Sequence, residues 1–241
     1  MTDRPSPNHD ARPEGVAVDV LVLHYTGMEN AETALARLCD PAARVSAHYL
    51  VDEDGTIFRL VAESRRAWHA GVSFWRGCDD VNAVSIGVEI VNPGHEFGYR
   101  PYPEAQMAAV EALCRDIVAR HPIPARNVVG HSDVAPGRRA DPGELFDWPR
   151  LAAAGVGLWP EDNPVRGEMG LALARGDAGR AVADAQGALA EFGYAVPRHG
   201  AYDEATADAV AAFQRHFRPC RVDGVLDPET AQRLFAVLAR A

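Results

Sequence analysis

The feature that most constrains this fold is a change of pattern near residue 160. Before it, short β-rich runs are interspersed with helical repeats; after it, only helical spacing remains. Residues 16–25 read as a buried strand, because VAVDVLVLHY is rich in valine and leucine and runs into the turn HYTG. Residues 32–39 fit a short helix stopped by Pro41, whose ring cannot continue one. AHYLVDEDGTIFRLV sets two β-rich arms around Asp54-Gly55, a pair that tolerates the positive φ of a tight hairpin turn. SIGVEIV at 85–91 is a further strand, and residues 127–130 are a last short one. Between them, residues 103–121 carry Met107, Val110, Leu113 or Cys114, and Ile117 at helical spacing. This mixture predicts an α/β domain, a mixed central sheet flanked by helices, up to about Leu158.

After LWPEDNPVRGEMG the apolar residues fall into three helical stripes: Val182, Ala185, Leu189 and Phe192; Thr206, Val210, Phe213 and Phe217; Leu234, Phe235 and Leu238. They predict a small all-α three-helix domain. Within it GAYDEAT at 200–206 is echoed by GVLDPET at 224–230, each offering an Asp to cap the next helix and a Thr in its first turn. The expected division is 1–160, with 1–14 as an N-terminal extension, a linker at 161–176, and the helical domain at 177–241.

Composition narrows the partners. With 24 Lys+Arg against 34 Asp+Glu, the net charge of −10 leaves no basic stripe for phosphate, so neither nucleic acid nor an anionic membrane is expected. The longest apolar runs are strand-length, too short for an integral membrane segment. Cys39, Cys78, Cys114 and Cys220 are scattered with no CxxC pair, which suggests half-buried reduced thiols rather than a thiolate cluster or disulfide framework. MTDRPSPNHDARPEG has no apolar signal core, so the sequence as written implies a cytoplasmic protein.

Of nine histidines, His24, His48 and His131 sit where strand-like runs end or turn, and His24 and His131 stand where α/β domains tend to collect their sites. Two histidines and an aspartate with an open fourth position form a hydrolytic zinc arrangement, in which water fills the vacancy and its pKa falls to about 7. A carboxylate outside the ligand set must then move the proton. Glu89 is the acid inside SIGVEIV, where burial is unfavourable without a partner or a function. Spacing alone does not separate this reading from hydrogen-bonded histidines and a solvent-facing Glu89, nor choose between Asp133 and Asp141 in GHSDVAPGRRADPG at 130–143.

HYTG, SAHYLVDEDG, AWHAG, NAVSIGVEIVNPG and GHSDVAPGRRADPG, in that order over residues 15 to 160, resemble the type 2 N-acetylmuramoyl-L-alanine amidases. These are zinc amidases sharing a fold with T7-type lysozyme and peptidoglycan recognition proteins. The C-terminal part is similar to the peptidoglycan-binding three-helix module in Gly193-Tyr194, in 203–214 and in 223–230, although Asp227 stands where that module usually has glycine. The resemblance implies His24, His131 and Asp141 as zinc ligands, with Asp133 in a supporting role, bonding the loop backbone or orienting a ligand. It implies Glu89 as the acid–base residue for attack on the bond between the lactyl group of muramic acid and L-alanine. Arg139 stands where the family commonly has lysine, and it keeps the charge needed at the oxyanion with a different donor geometry. Arg138 is expected to face solvent or substrate carboxylates. His48, Trp68, His69 and Asn82 are candidates to line the muropeptide groove, and Tyr102 belongs at a helix start. His9, His95, His121, His199 and His216 carry no assigned role.

The expected partner is therefore peptidoglycan or muropeptides, bound by a monomer. The wall-binding module suits a periplasmic or cell-wall setting, in conflict with the missing signal segment. Two rivals stand beside this reading: a non-catalytic recognition protein on the same fold, which predicts a lost ligand although His24, His131, Asp141 and Glu89 are all in place, and a zinc peptidase cutting within the stem peptide.

Overall fold

The computed structural model describes residues 1–160 and 172–240; most of the linker expected at 161–176 lies outside them. The strands are, in chain order, Thr2–Asp3 (β1), His9–Ala11 (β2), Val20–Tyr25 (β3), Tyr49–Val51 (β4), Ile57–Arg59 (β5), Arg65–Ala67 (β6), Ser85–Ile90 (β7) and Val128–Gly130 (β8). A mixed six-stranded sheet has the order β1-β5-β4-β7-β3-β8, and β2 pairs with β6 in a small second sheet. The helices are Ala31–Cys39 (α1), Val81–Val84 (α2), Gly94–Phe97 (α3), Glu104–Arg120 (α4), His131–Val134 (α5), Trp148–Ala153 (α6), Arg180–Phe192 (α7), Glu204–Phe217 (α8) and Pro228–Leu238 (α9).

The long central strands β3 and β7 run parallel, in a register that sets His24 beside Glu89. Alternation sends successive side chains to opposite faces. Leu21 and Leu23 of β3 therefore join Ile86, Val88 and Ile90 of β7 against Met107, Val110, Leu113, Cys114 and Ile117 of α4. The intervening residues Val20 and Val22, with Val129 of β8, face the other way. On that second face they meet Trp75, Val134 and the apolar sides of α7, α8 and α9 in one continuous core. Trp75 is 1% exposed, meets Phe192 and Tyr194 edge-on, and lies so close to Gly193 that a Cβ there would stand 2.8 Å from the indole. The helical segment thus covers a sheet face with its own apolar surface.

Inside that segment the sequence echo becomes a repeated circuit. Asp203 caps α8 and Asp227 caps α9, each accepting from a backbone N–H and hydroxyl, of Thr206 and Thr230 respectively. Gln186 spans Gly200, Ala201 and Thr206, and Gln214 spans Gly224, Val225 and Thr230 in the same way. The third stripe needs one correction: Phe235 is 60% exposed, and Val237 joins Leu234 in the core. Residues 234 and 238 are one helical turn apart, whereas residue 235 lies about 100° round the axis from 234.

The N-terminal segment is woven in rather than appended. β1 pairs with β5, Ser6 and Asn8 are buried, and Asn8 donates to the carbonyls of Asp40 and Val45. Arg12 reaches the carbonyls of Glu63, Asn82, Ala83 and Ser85. These are polar, one-residue anchors with no periodicity to read. The cysteines are free but not uniformly half-buried, since Cys114 is buried and Cys220 exposed. Among the described residues no helix is long and apolar enough to cross a membrane.

Candidate metal centre and its cleft

The parallel strands β3, β7 and β8 end on one side, and the groups expected to do chemistry gather there, as is usual for open α/β sheets. His24 is the penultimate residue of β3, Glu89 lies beside it on β7, and His131 follows the last residue of β8. The chain then leaves α5 and returns ten residues later with Asp141. The return needs close approach, since a Cβ at Gly130 would lie 2.7 Å from the Pro142 ring. Ser132 N–H holds the Asp141 carbonyl at 2.9 Å, and the hydroxyls of Tyr99 and Tyr102 both donate to the Pro142 carbonyl at 2.7 Å.

The resulting triangle is compact. His24 Nδ1, His131 Nδ1 and Asp141 Oδ2 are each 3.0 Å from the other two, and all three residues are buried. A tetrahedral zinc with bonds of about 2.0–2.1 Å to nitrogen and oxygen spaces its ligands about 3.3 Å apart, so the triangle has the size such an ion requires. Hydrogen bonds behind the histidines decide which nitrogens face inward. His131 Nε2 lies 3.0 Å from the Ala70 carbonyl, which can only accept, so Nε2 carries the proton and Nδ1 presents a lone pair. Behind His24 the direction is set two residues back. Ser85 Oγ donates to the Val81 carbonyl, hence accepts from His69 Nε2; His69 Nδ1 therefore accepts from His24 Nε2. His24 is left with its Nδ1 lone pair on the triangle.

Electrostatics agree with that wiring. Burial, then the neighbouring His131, lower the His24 pKa to about 4, and burial and the surrounding histidines take His69 well below the ordinary value, so both rings are neutral. Glu89 goes the other way: burial, then repulsion from Asp141, push it well above its normal value, with Arg139 opposing. Its Oε2 is enclosed and has no hydrogen-bond partner among the described residues. Two inward lone pairs, a carboxylate and an unpaired acid beside them suit a divalent cation and a reacting water better than a closed hydrogen-bond network.

Above the triangle opens a cleft of about 700 Å³. Tyr25, His95 and Phe97 form one side, α1 and Trp68 another, and the 137–141 segment with Asp208, Ala211 and Arg215 of α8 a third. Arg139 is exposed on this lining, close enough to influence both His24 and Glu89. Arg138 also lines the cleft, yet instead of standing free it donates to the carbonyls of Ala70 and Val72. Of the groove candidates, Trp68 lies on the wall, half-buried.

Two of the other candidates, His48 and Asn82, sit elsewhere. His48 is fully buried away from the cleft: its Nδ1 accepts from Gly87 N–H, its Nε2 meets the Arg65 carbonyl, and burial drops its pKa to about 3. Asn82 lies behind the wall, where its Oδ1 accepts the backbone N–H groups of His69 and Ala70. His69 touches the cleft but is packed over Gly87, where a Cβ would stand 2.4 Å from its ring, and serves His24. A strand-end histidine and a core histidine look alike in sequence; only the pairing of β7 with its neighbours reveals that Gly87 leaves room for a ring.

Asp133 is 1% exposed and accepts Gly130 N–H, as expected of a loop-bonding residue, but it orients neither histidine. Its other partners come from the helical segment: Tyr194 OH at 2.6 Å on Oδ1 and His216 Nδ1 at 2.8 Å on Oδ2. The His216 ring is stacked between Trp148 and Phe217. His216, to which the sequence assigned no role, therefore joins the two parts of the chain. Tyr194 in the GY pair was the available signal, read only as part of a module signature.

Comparison with known proteins places these features in context. A profile of N-acetylmuramoyl-L-alanine amidases matches residues 14–144, and one of a peptidoglycan binding domain matches residues 178–234. The chain is 38% identical over 241 positions to N-acetylmuramoyl-L-alanine amidase AmiD of Escherichia coli, covering 92% of this chain and 83% of that one. It is 36% identical over 166 positions to 1,6-anhydro-N-acetylmuramyl-L-alanine amidase AmpD of Enterobacter cloacae, covering 62% of this chain and 87% of that one. Among solved structures, E. coli AmiD in complex with the substrate anhydro-N-acetylmuramic acid-L-Ala-D-γ-Glu-L-Lys aligns with a TM-score of 0.79 at 35% identity, covering 95% of this chain and 92% of that one.

Proposed function

The chain belongs to the N-acetylmuramoyl-L-alanine amidase family, and on that premise we propose that it is a zinc hydrolase cleaving the amide between the lactyl group of N-acetylmuramic acid and L-alanine. The observation that carries this is the convergence of His24 Nδ1, His131 Nδ1 and Asp141 Oδ2 beside the unpaired acid Glu89. These three residues would hold zinc, whose chemistry is to polarise the scissile carbonyl and to lower the pKa of water.

Glu89 accepts the proton of the attacking water and returns it to the departing nitrogen of L-alanine, the two-way use of a positioned acid–base group. Arg139 places its guanidinium against the charge that develops on the carbonyl oxygen. His69 and Ser85 hold His24 in the tautomer that binds a cation, and Ala70 does the same for His131. Residues 1–160 form the hydrolytic part, and 177–241 the part that holds polymeric wall. The substrate is intact peptidoglycan or a large muropeptide; the bound ligand of the E. coli relative supports the muramoyl-peptide class. The presence of a peptidoglycan binding domain supports action at the cell wall.

The test is incubation of the purified protein with peptidoglycan and with an anhydromuropeptide, each with and without chelator, followed by mass spectrometry. Stem peptides bearing a free L-alanine amino terminus, lost on chelation and restored by zinc, are the expected products. Alanine left on the muramic acid would replace this reading with a peptidase. Binding without cleavage would replace it with a recognition protein.

A further inference from the structure

The cleft is built by both parts of the chain. Asp208, Ala211 and Arg215 of α8 line it together with Gly137, Arg138 and Arg139 of the metal-side loop. Positions 208, 211 and 215 recur at helical spacing and so present one face of α8. That face lies against the loop so closely that a Cβ on Gly137 would come within 2.2 Å of the Asp208 carboxylate. The helical segment thus forms a wall of the reaction chamber.

The charge on that wall runs against the chain as a whole. The protein carries ten more acidic than basic side chains, yet this side of the cleft sets Arg138, Arg139 and Arg215 against two acids, Asp141 and Asp208. Arg215 has an enclosed Nε with no hydrogen-bond partner, and its guanidinium makes no hydrogen bond or ion pair among the described residues. Arg138 on the same lining, by contrast, is satisfied by the carbonyls of Ala70 and Val72. An enclosed guanidinium N–H left without an acceptor is unfavourable, and the planar fork is shaped for a carboxylate.

We propose that Arg215 is a specificity residue that pairs with a carboxylate of the stem peptide, so that the wall-binding segment takes part in choosing the substrate at the reaction site itself. The inference rests on the muramoyl-peptide reading above. Stem peptides carry carboxylates beyond L-alanine, as the D-γ-Glu unit of the ligand bound to the E. coli relative illustrates. Elsewhere on the cleft lining Tyr25, Phe97 and Trp68 offer faces suited to sugar, which leaves the arginine wall for the peptide.

The experiment compares an N-acetylmuramoyl tripeptide with free carboxylates and its fully amidated counterpart. KM and kcat are measured on the wild type, Arg215→Ala and Arg215→Lys, and Kd by calorimetry in a zinc-loaded Glu89→Gln background. A charge-assisted pair predicts a rise of about tenfold or more in KM and Kd for the acidic peptide in Arg215→Ala, with kcat within about twofold. The amidated peptide should not distinguish the proteins, and lysine should recover part of the loss. Equal losses on both peptides, or none on either, would overturn the proposal while leaving the amidase reading intact if the wild type still cleaves. Binding that depends on Arg215 without cleavage would sink the amidase reading and keep this one. Absence of both would sink both. Unfolding midpoints and zinc content, measured alongside, identify a variant that has merely lost its fold.

Discussion

Two aspartates of one loop, both almost fully buried, lie in surroundings of opposite kind. Asp133 meets donors only: a backbone N–H, a tyrosine hydroxyl and the Nδ1 of His216. Asp141 meets two imidazole nitrogens whose opposite nitrogens are already engaged, so three electron-rich atoms point at one another 3.0 Å apart. A carboxylate surrounded by protons is a finished joint. A carboxylate facing lone pairs is unfinished until a cation arrives, because three electron-rich atoms repel one another without positive charge between them. Each pocket contains an Asp and a His within 3.0 Å, and proximity alone would not tell them apart; the direction of the hydrogen bonds does.

Four substitutions would break or sharpen this contrast. Asp141→Ala should have the largest effect, with zinc lost on gel filtration and turnover reduced to background; full zinc occupancy in that protein, read by metal analysis, would remove Asp141 from the ligand set. Next comes Glu89→Ala, which should retain zinc yet lose turnover by about 10²–10⁴-fold, the range for a positioned acid–base group. Near-normal turnover would exclude Glu89 as the proton carrier. Asp133→Ala should do the converse of Asp141→Ala: zinc stoichiometry is kept, while urea unfolding shows a loss of about 3–5 kcal/mol, as expected when one partner of a buried bonded pair is deleted. Zinc loss without loss of stability would reverse the two roles. The smallest effect is expected for His69→Ala, about 10–100-fold in zinc affinity by competition titration, with the ligands themselves intact. An unchanged affinity would show that His24 finds its tautomer without help.

Much of the fold could be read in the chain because it rests on periodic apolar residues. Leu21, Leu23, Ile86 and Val88 alternate in their strands, and Met107, Val110 and Ile117 repeat through α4. The convergence of His24, His131 and Asp141 was legible through the ordered motifs rather than through spacing, since no period links a strand end to a loop 117 residues later. What escaped has no pattern to carry it. Ser6, Asn8 and Arg12 knit the N-terminus into the sheet through single polar contacts with backbone carbonyls, which any residue supplies. Ser85 sits in SIGVEIV as one more strand residue, and its task appears only when the neighbouring His69 ring lies over Gly87. His216 lies among Phe213, Phe217 and Trp148, where an apolar stripe disguises a hydrogen-bonding residue. Phe235 shows the opposite failure, an aromatic side chain read into the core from its company although its angle on the helix turns it to water.

The uninterrupted core between sheet and helices changes how a shortened protein would have to be interpreted. Val20, Val22, Val129, Val134 and Trp75 lose their cover if the chain is cut after residue 160. Such a fragment would bring an oily sheet face to the surface, inviting self-association through exposed apolar area. Poor performance of a trimmed enzyme on bacterial walls would then be the behaviour of a damaged particle, and would reveal nothing about affinity for the polymer.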